Sequence, residues 1–125
     1  MKSRENLVRL KQFQVNEKRR QLMQLDSMIA EFDRMANELE LQIVAEEKKA
    51  GITDLNHFAY PTFAKAARQR RDNLKNSQHD LAQQRAAAES LLTEAEAELS
   101  KAEMLETRDR NSREADTGGR SAMIG

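Results

Sequence analysis

Two stretches of the chain repeat apolar residues at alternating spacings of three and four, and this heptad pattern restricts the fold more than any other feature. The first repeat runs through Leu22, Leu25, Ile29, Phe32, Ala36, Leu39 and Ile43. Such spacing lines up apolar side chains on one face of an α-helix. Because a single helix cannot bury that face by itself, the repeat predicts a coiled coil with a partner helix.

A second repeat begins near the middle of the chain and occupies thirteen positions. Its members are Tyr60, Ala64, Ala67, Arg71, Leu74, Gln78, Leu81, Arg85, Ala88, Leu92, Ala95, Leu99 and Ala102. Three of them are polar, and the other ten are apolar. No proline follows Pro61, and nothing before Arg113 is expected to end a helix. The second repeat therefore predicts a second long helix.

Toward the N-terminus the first repeat becomes less regular. Extended backward, it meets alternating valine and lysine residues: Val8, Lys11, Val15 and Lys18. Three larger apolar residues lie just off this register: Leu7, Leu10 and Phe13. The mismatch predicts either a local shift of register or a looser N-terminal end of the helix.

The segment between the repeats reads AGITDLNHFAYPTF and carries the signals of a helix–helix connection. Gly51 suits the position after a helix, where a positive φ is needed. Thr53 or Asp54 can cap a short turn, and Pro61 fits the first turn of the next helix. We therefore predict helices over about residues 3–49 and 61–113, a connection over about 50–60, and a disordered tail over 114–125.

The charge distribution indicates how the two helices pair. Residues 1–20 carry seven basic and two acidic side chains, residues 21–50 three and seven, residues 51–85 six and three, and residues 86–125 five and nine. Antiparallel pairing sets each basic quarter against an acidic one, whereas parallel pairing sets like charges together. The expected fold is therefore all-α, with residues 1–113 forming one antiparallel coiled-coil hairpin.

The composition argues against an enzyme, a metal site or a bound cofactor. The chain has no cysteine and only two histidines, His57 and His79, and neither has the spacing of a metal site. A two-helix hairpin also offers no water-excluding pocket. No run approaches the roughly 20 apolar residues of a membrane span, and the charged N-terminus has no secretory signal. These features predict a non-catalytic cytoplasmic protein.

The aromatic cluster Phe58, Tyr60 and Phe63 holds three of the five aromatic residues of the chain. It has two interpretations. The rings can form a small core that closes the hairpin, or they can form a docking surface for a partner protein. Both hold if Tyr60 points inward and Phe58 or Phe63 points outward.

Two basic segments are further candidates for partner binding. The first contains Arg68, Arg70 and Arg71. It forms either a solvated face, with Arg71 paired to an acidic residue of the first helix, or a site for an acidic protein surface. The pI of 6.8 and the lack of interleaved aromatic residues argue against nucleic acid.

The second basic segment lies at the N-terminus, where Arg19 and Arg20 accompany Leu7, Leu10 and Phe13. Its basic side chains either pair with the acidic C-terminal helix or remain available to a partner. Basic amphipathic segments of this kind lie on membranes or enter acidic grooves of proteins.

Three segments of the sequence resemble the FliJ family of flagellar export proteins, in its short alphaproteobacterial branch. They are the opening MKSRENLVRLKQFQVNEKRRQ, the connection GITDLNHFAYPTFAKAARQRRDNL and the ending MIG. The resemblance covers most of the chain, and its most specific part is the connection through Leu74, where the stretches FAYPTF and RQRRDNL match most closely. Heptads alone resemble any coiled coil.

The resemblance implies an antiparallel two-helix coiled coil in the cytoplasmic part of the flagellar type III export apparatus. Family members bind the hexameric export ATPase and the cytoplasmic domain of the membrane export gate, and they help to recycle export chaperones. By this analogy residues 7–20 and 92–106 enter the ATPase ring, and the region near the connection faces the gate. Membrane association is then peripheral and passes through these partners.

Two alternatives remain open from the sequence. A general coiled-coil holdase or adaptor, unrelated to flagella, would use the aromatic cluster to hold unfolded proteins. The exposed part of the apolar stripe also allows a dimer or a four-helix assembly of the chain with itself.

Overall fold

A computed structural model of the chain describes residues 2–124, with the side chains of residues 3–116. It contains two helices, α1 (Lys2–Ala50) and α2 (Thr62–Ile124), and the described residues contain no strand. Lys11, early in α1, pairs with Glu98, late in α2. Glu40, late in α1, pairs with Arg71, early in α2. The helices therefore run antiparallel, and the predicted all-α class is confirmed.

The bounds of α1 agree with the prediction to within one residue at each end, whereas α2 is longer than expected. The backbone is helical to Ile124, although the sequence predicted an end near residue 113 and a disordered tail after it. No proline follows Pro61, and residues 107–116 are mostly charged residues and alanine that tolerate a helix. Gly118 and Gly119 weaken a helix by only about 1 kcal/mol each relative to alanine, so they do not by themselves end α2.

The paired helices divide into two compact units. The terminal unit comprises Met1–Leu22 and Ala87–Gly125, and the connection unit comprises Met23–Ala86. Each unit has its own buried residues and its own ion pairs between α1 and α2.

The core of the terminal unit is thin. Val15, Ala95 and Leu99 form a buried cluster, and Val8 and Leu92 pack against it. Alanines on α2 bring the helices close together but bury little apolar area per turn. The stability of this unit therefore depends on a few large side chains.

The repeat in α1 keeps one register through the terminal unit. The side chains at its five positions are buried or half-buried: Val8, Lys11, Val15, Lys18 and Leu22. The predicted shift of register is therefore wrong. Lysine tolerates a seam position because its aliphatic stem lies against the partner helix while its ammonium group reaches water or a carboxylate. The three off-register apolar residues are left exposed, since burying them would bring Val15 into solvent.

The connection unit has a longer core, in which large residues of α1 face small residues of α2. Ile43 is fully buried, and Ala36 is nearly so. The residues buried against them are Tyr60 of the connection and Ala64, Ala67 and Leu81 of α2. The three polar members of the second repeat are only half-buried: Arg71, Gln78 and Arg85.

Ion pairs between the helices follow the predicted charge pattern. In the terminal unit they join Arg4 to Asp109 at 3.0 Å, Lys11 to Glu98 at 2.8 Å and Arg19 to Glu96 at 3.4 Å. In the connection unit they join Arg71 to Glu40 at 2.6 Å, Arg68 to Glu47 at 3.3 Å and Arg85 to Asp26. Basic quarters therefore face acidic quarters in both units, as antiparallel pairing requires. Because most of these pairs are exposed, they select orientation more than they add stability.

Candidate partner-binding site

The connection between the helices is an ordered series of turns. Gly51 has a φ of 69° and donates its N–H to the carbonyl of Glu47 at 2.9 Å, which ends α1. Asp54 then accepts a hydrogen bond from the N–H of Asn56 at 3.0 Å, as an Asx turn does. The N–H of Tyr60 donates to the carbonyl of His57 at 3.0 Å, just before α2 begins. These bonds give the aromatic residues of the connection fixed positions.

Tyr60, Arg68 and Glu47 form a clamp that ties the connection to both helices. Arg68 donates from Nε to the Tyr60 hydroxyl at 2.8 Å and from Nη2 to Glu47 at 3.3 Å. The hydrogen bond to Tyr60, followed by that to Glu47, raises the pKa of Arg68, although partial burial acts against it. The Arg68 guanidinium is thus already engaged. The position of Arg68 does not support the prediction that it binds a partner protein. A bond from its guanidinium to another molecule would break the bonds to Tyr60 and Glu47.

The aromatic cluster is divided between the interior and the surface. Tyr60 is buried, whereas Phe58 is 97% exposed and Phe63 is 56% exposed. The Phe58 ring stacks on His57, with 4.8 Å between ring centroids, and has no other ring contact in the described part of the chain. The arrangement agrees with the mixed interpretation of the sequence, in which Tyr60 closes the hairpin and the phenylalanines remain available.

The basic run after the connection is likewise divided. Arg71 lies in the seam with a 14% exposed side chain and donates to Glu40 at 2.6 Å, as one interpretation of the sequence predicted. Arg70 is exposed and forms no hydrogen bond or ion pair with any residue whose side chain the structure describes. Of the three arginines, Arg70 alone therefore keeps its charge free for another molecule.

The two flanks of the seam differ in chemistry within the connection unit. One flank carries the ion-paired residues Asp26, Glu40, Glu47 and Arg68. We call it the ionic flank. The opposite flank carries an open groove whose apolar lining is Phe32, Met35, Leu39 and Leu74. We call this feature the apolar groove.

Polar groups surround the apolar groove. Gln42, Asn73 and Ser77 line it on both helices, and the two charged residues in its lining are Arg70 on α2 and Glu38 on α1. Glu38 accepts a hydrogen bond from the exposed Arg34 at 2.9 Å. The groove can therefore bind an apolar helix face, with side chains of either charge at its rim.

The sequence analysis did not predict the apolar groove. Its signal is nevertheless present, because the heptad position beside the seam on this side holds Met28, Met35 and Gln42 in α1 and Ser77 and Gln84 in α2. Apart from Arg70, which lies seven residues before Ser77 at the same position, these residues are uncharged, and the flank has no ion pair between the helices among the described residues. An apolar stripe that includes such a position is wider than the seam of a two-stranded coiled coil.

A second exposed apolar surface lies in the terminal unit. Leu7, Leu10 and Phe13 are all exposed, and Phe13 is the most exposed of the three at 61%. Arg19 and Arg20 do not extend this surface, because Arg19 pairs with Glu96 on α2 and Arg20 pairs with Glu17 at 2.6 Å. The predicted basic amphipathic segment is therefore partly neutralised, and its apolar residues are the part left available.

Within the described residues, no group of three or more His, Cys, Asp or Glu side chains could hold a metal ion. The helices in that part of the chain include none long and apolar enough to cross a membrane. Comparisons of the chain with known protein families, curated proteins and solved structures found no match. The surfaces described above, together with the sequence resemblance, are therefore the basis for assigning a function.

Proposed function

We propose that the chain is a non-catalytic coiled-coil component of the flagellar type III protein export apparatus. It would act as a stalk or adaptor between the export ATPase ring and the membrane export gate, and would help to deliver chaperones and substrates. The observation that carries the proposal is the exposure of large apolar side chains on both helical units, among them Leu10, Phe13 and Phe58. Such surfaces are typical of proteins that bind other proteins.

Different surfaces are available for the two expected partners. The exposed Leu7, Leu10 and Phe13 belong to the segment that, by the FliJ resemblance, would enter the ATPase ring. The exposed Phe58 and Phe63 belong to the connection, which by the same resemblance would face the gate. The antiparallel two-helix fold is also the one that the resemblance implies.

The proposal is tested by binding the purified chain to the export ATPase and to the cytoplasmic domain of the gate. Replacing Leu10 and Phe13 by serine should remove ATPase binding and leave gate binding intact, and replacing Phe58 and Phe63 by serine should do the reverse. Met23→Ser is a matched control, because Met23 is also exposed on α1 but lies outside both surfaces. Binding to neither protein, with normal motility after deletion of the gene, would rule the proposal out.

A general holdase is the second candidate, and the exposure of Phe58 and Phe63 favours it. It predicts that the purified chain suppresses aggregation of an unfolding test protein. The Phe58→Ser, Phe63→Ser double variant should lose this protection without losing ATPase binding. Loss of motility on deletion, with no protection of the test protein by the parent chain, would favour the export adaptor instead.

A further inference from the structure

We propose that the apolar groove of the connection unit binds a second copy of this chain, so that the free protein is a homodimer joined along this flank. The inference does not depend on the flagellar assignment, because it concerns the purified chain alone.

The groove has the chemistry of a surface that another pair of helices covers. Phe32, Leu39 and Leu74 belong to the seam but are only half-buried, and they open onto the groove. Met35 stands beside them and is exposed. A seam widened on one side in this way is typical of helices that face more than one neighbour, as in a four-helix bundle. The ionic flank is closed to such packing because its charged side chains already bond across the helices.

The charges at the rim favour a second copy over a foreign partner. Arg70 on α2 is unpaired within the described residues, whereas Glu38 on α1 is exposed and pairs with Arg34 of its own helix, which leaves its carboxylate able to accept a further bond. The contact between Arg71 and Glu40 fixes the register and sets Arg70 and Glu38 about one helical turn apart along the groove. The rim therefore carries a cation on one helix and an anion on the other. A two-fold symmetric interface requires such self-complementarity.

The symmetry also fits the helix directions. A two-fold axis parallel to the helices lays α1 of one copy over α2 of the other, where the two run in opposite directions. Arg70 of each copy then approaches Glu38 of the other, which gives two equivalent ion pairs around the apolar centre of the interface. The chain has 21 basic and 21 acidic residues, so no net charge repels the two copies.

The first test is sedimentation equilibrium of the full chain over a range of concentrations. The parent should follow a monomer–dimer equilibrium, and Met35→Glu should weaken it at least tenfold, since a charge would enter the centre of the interface. Met23→Glu is the matched control, because Met23 is an exposed methionine of α1 outside the groove, and it should dimerise as the parent does. Circular dichroism should show equal helix content in all three proteins.

A charge exchange between copies tests the arrangement itself. Each of the variants Arg70→Glu and Glu38→Arg should form a weaker homodimer than the parent. In each, residues 70 and 38 carry the same charge, so both symmetry-related ion pairs become repulsive. An equimolar mixture of the two variants should form a heterodimer that is tighter than either homodimer, since every pair is again complementary. The inference would be overturned if the parent chain stays monomeric. It would also be overturned if the dimer affinity is unchanged by Met35→Glu and the mixed variants bind no more tightly than each variant alone. A monomer that binds the gate domain through the groove would assign the groove to that partner.

Discussion

Gln78 donates a hydrogen bond from its side-chain amide to the main-chain carbonyl of Ile29, 3.1 Å away on the other helix. Gln78 is the middle of three polar residues spaced by seven along the α2 seam, between Arg71 and Arg85. Its two neighbours bond to Glu40 and Asp26 on α1. Because a half-buried polar group meets its partner in only one alignment, these bonds fix the register of the helices more than they add stability.

Replacing Gln78 by leucine should therefore stabilise the protein. The Ile29 carbonyl keeps the bond that helix α1 itself supplies, and leucine adds apolar area to the seam, for a gain of about 1 kcal/mol. Thermal unfolding followed by circular dichroism measures the change. Gln83→Leu is the control, because Gln83 is exposed on the same helix and bonds only to His79 among the described residues, and its effect should be small. A lower melting temperature for Gln78→Leu would show that the hydrogen bond matters for stability as well as register.

The end of α1 should be sensitive to the residue at position 51. Gly51 adopts a φ of 69°, and a Cβ added there would meet nothing within 4 Å. Gly51→Ala should therefore cost about 1 kcal/mol through backbone conformation alone. Gly51→Asn should cost less, because asparagine adopts this conformation more readily than alanine does. Equal losses for the two variants in chemical unfolding would mean that φ is not the cause.

The clamp at the connection should depend on one hydroxyl group. Tyr60→Phe leaves Nε of Arg68 without the acceptor that it now has at 2.8 Å, so we expect a loss of about 1 kcal/mol in the free energy of unfolding. Phe58→Ala serves as the comparison, because that side chain is almost wholly exposed, and it should change stability by less than about 0.5 kcal/mol. If both variants unfold like the parent protein, the clamp contributes nothing to stability.

The ion pair between Arg71 and Glu40 should make stability depend on pH. The hydrogen bond from Arg71 is the main cause that lowers the pKa of the Glu40 carboxyl. Because the pKa of Glu40 is lowered in the folded state, the ion pair makes its full contribution to the free energy of unfolding at neutral pH. As the pH falls below about 4 the carboxyl is protonated first in the unfolded state, and the contribution is lost once the pH is below the lowered pKa of the folded state.

A single substitution isolates this contribution from the other carboxylates. Glu40→Gln should lower the melting temperature at pH 7, and the difference from the parent should shrink as the pH approaches 3. Glu46→Gln is a suitable comparison, because Glu46 lies six residues further along α1 and forms no ion pair with any residue whose side chain the structure describes. A difference that stays the same at both pH values would contradict the assigned role of Glu40.

Much of the fold followed from the spacing of residues. The two repeats predicted which positions face the partner helix, and all thirteen positions of the second repeat are buried or half-buried. The charge pattern predicted the antiparallel orientation correctly. The off-register Leu7, Leu10 and Phe13 suggested a shift of register that the structure does not have. The paired geometry favours the smaller Val8 and Val15 in the seam and leaves the larger residues outside.

The candidate site was less predictable, because equivalent residue types have different surroundings. Arg68, Arg70 and Arg71 look alike in the sequence, yet Arg68 bonds Tyr60 and Glu47, Arg71 bonds Glu40, and Arg70 alone faces the groove without a bond among the described residues. The sequence by itself determined the helices, their pairing and their orientation, because these depend on periodicity and on charge summed over many residues. Only the tertiary structure decided which arginine is free and which flank is open, because each depends on the particular atoms that the opposite helix brings within bonding distance.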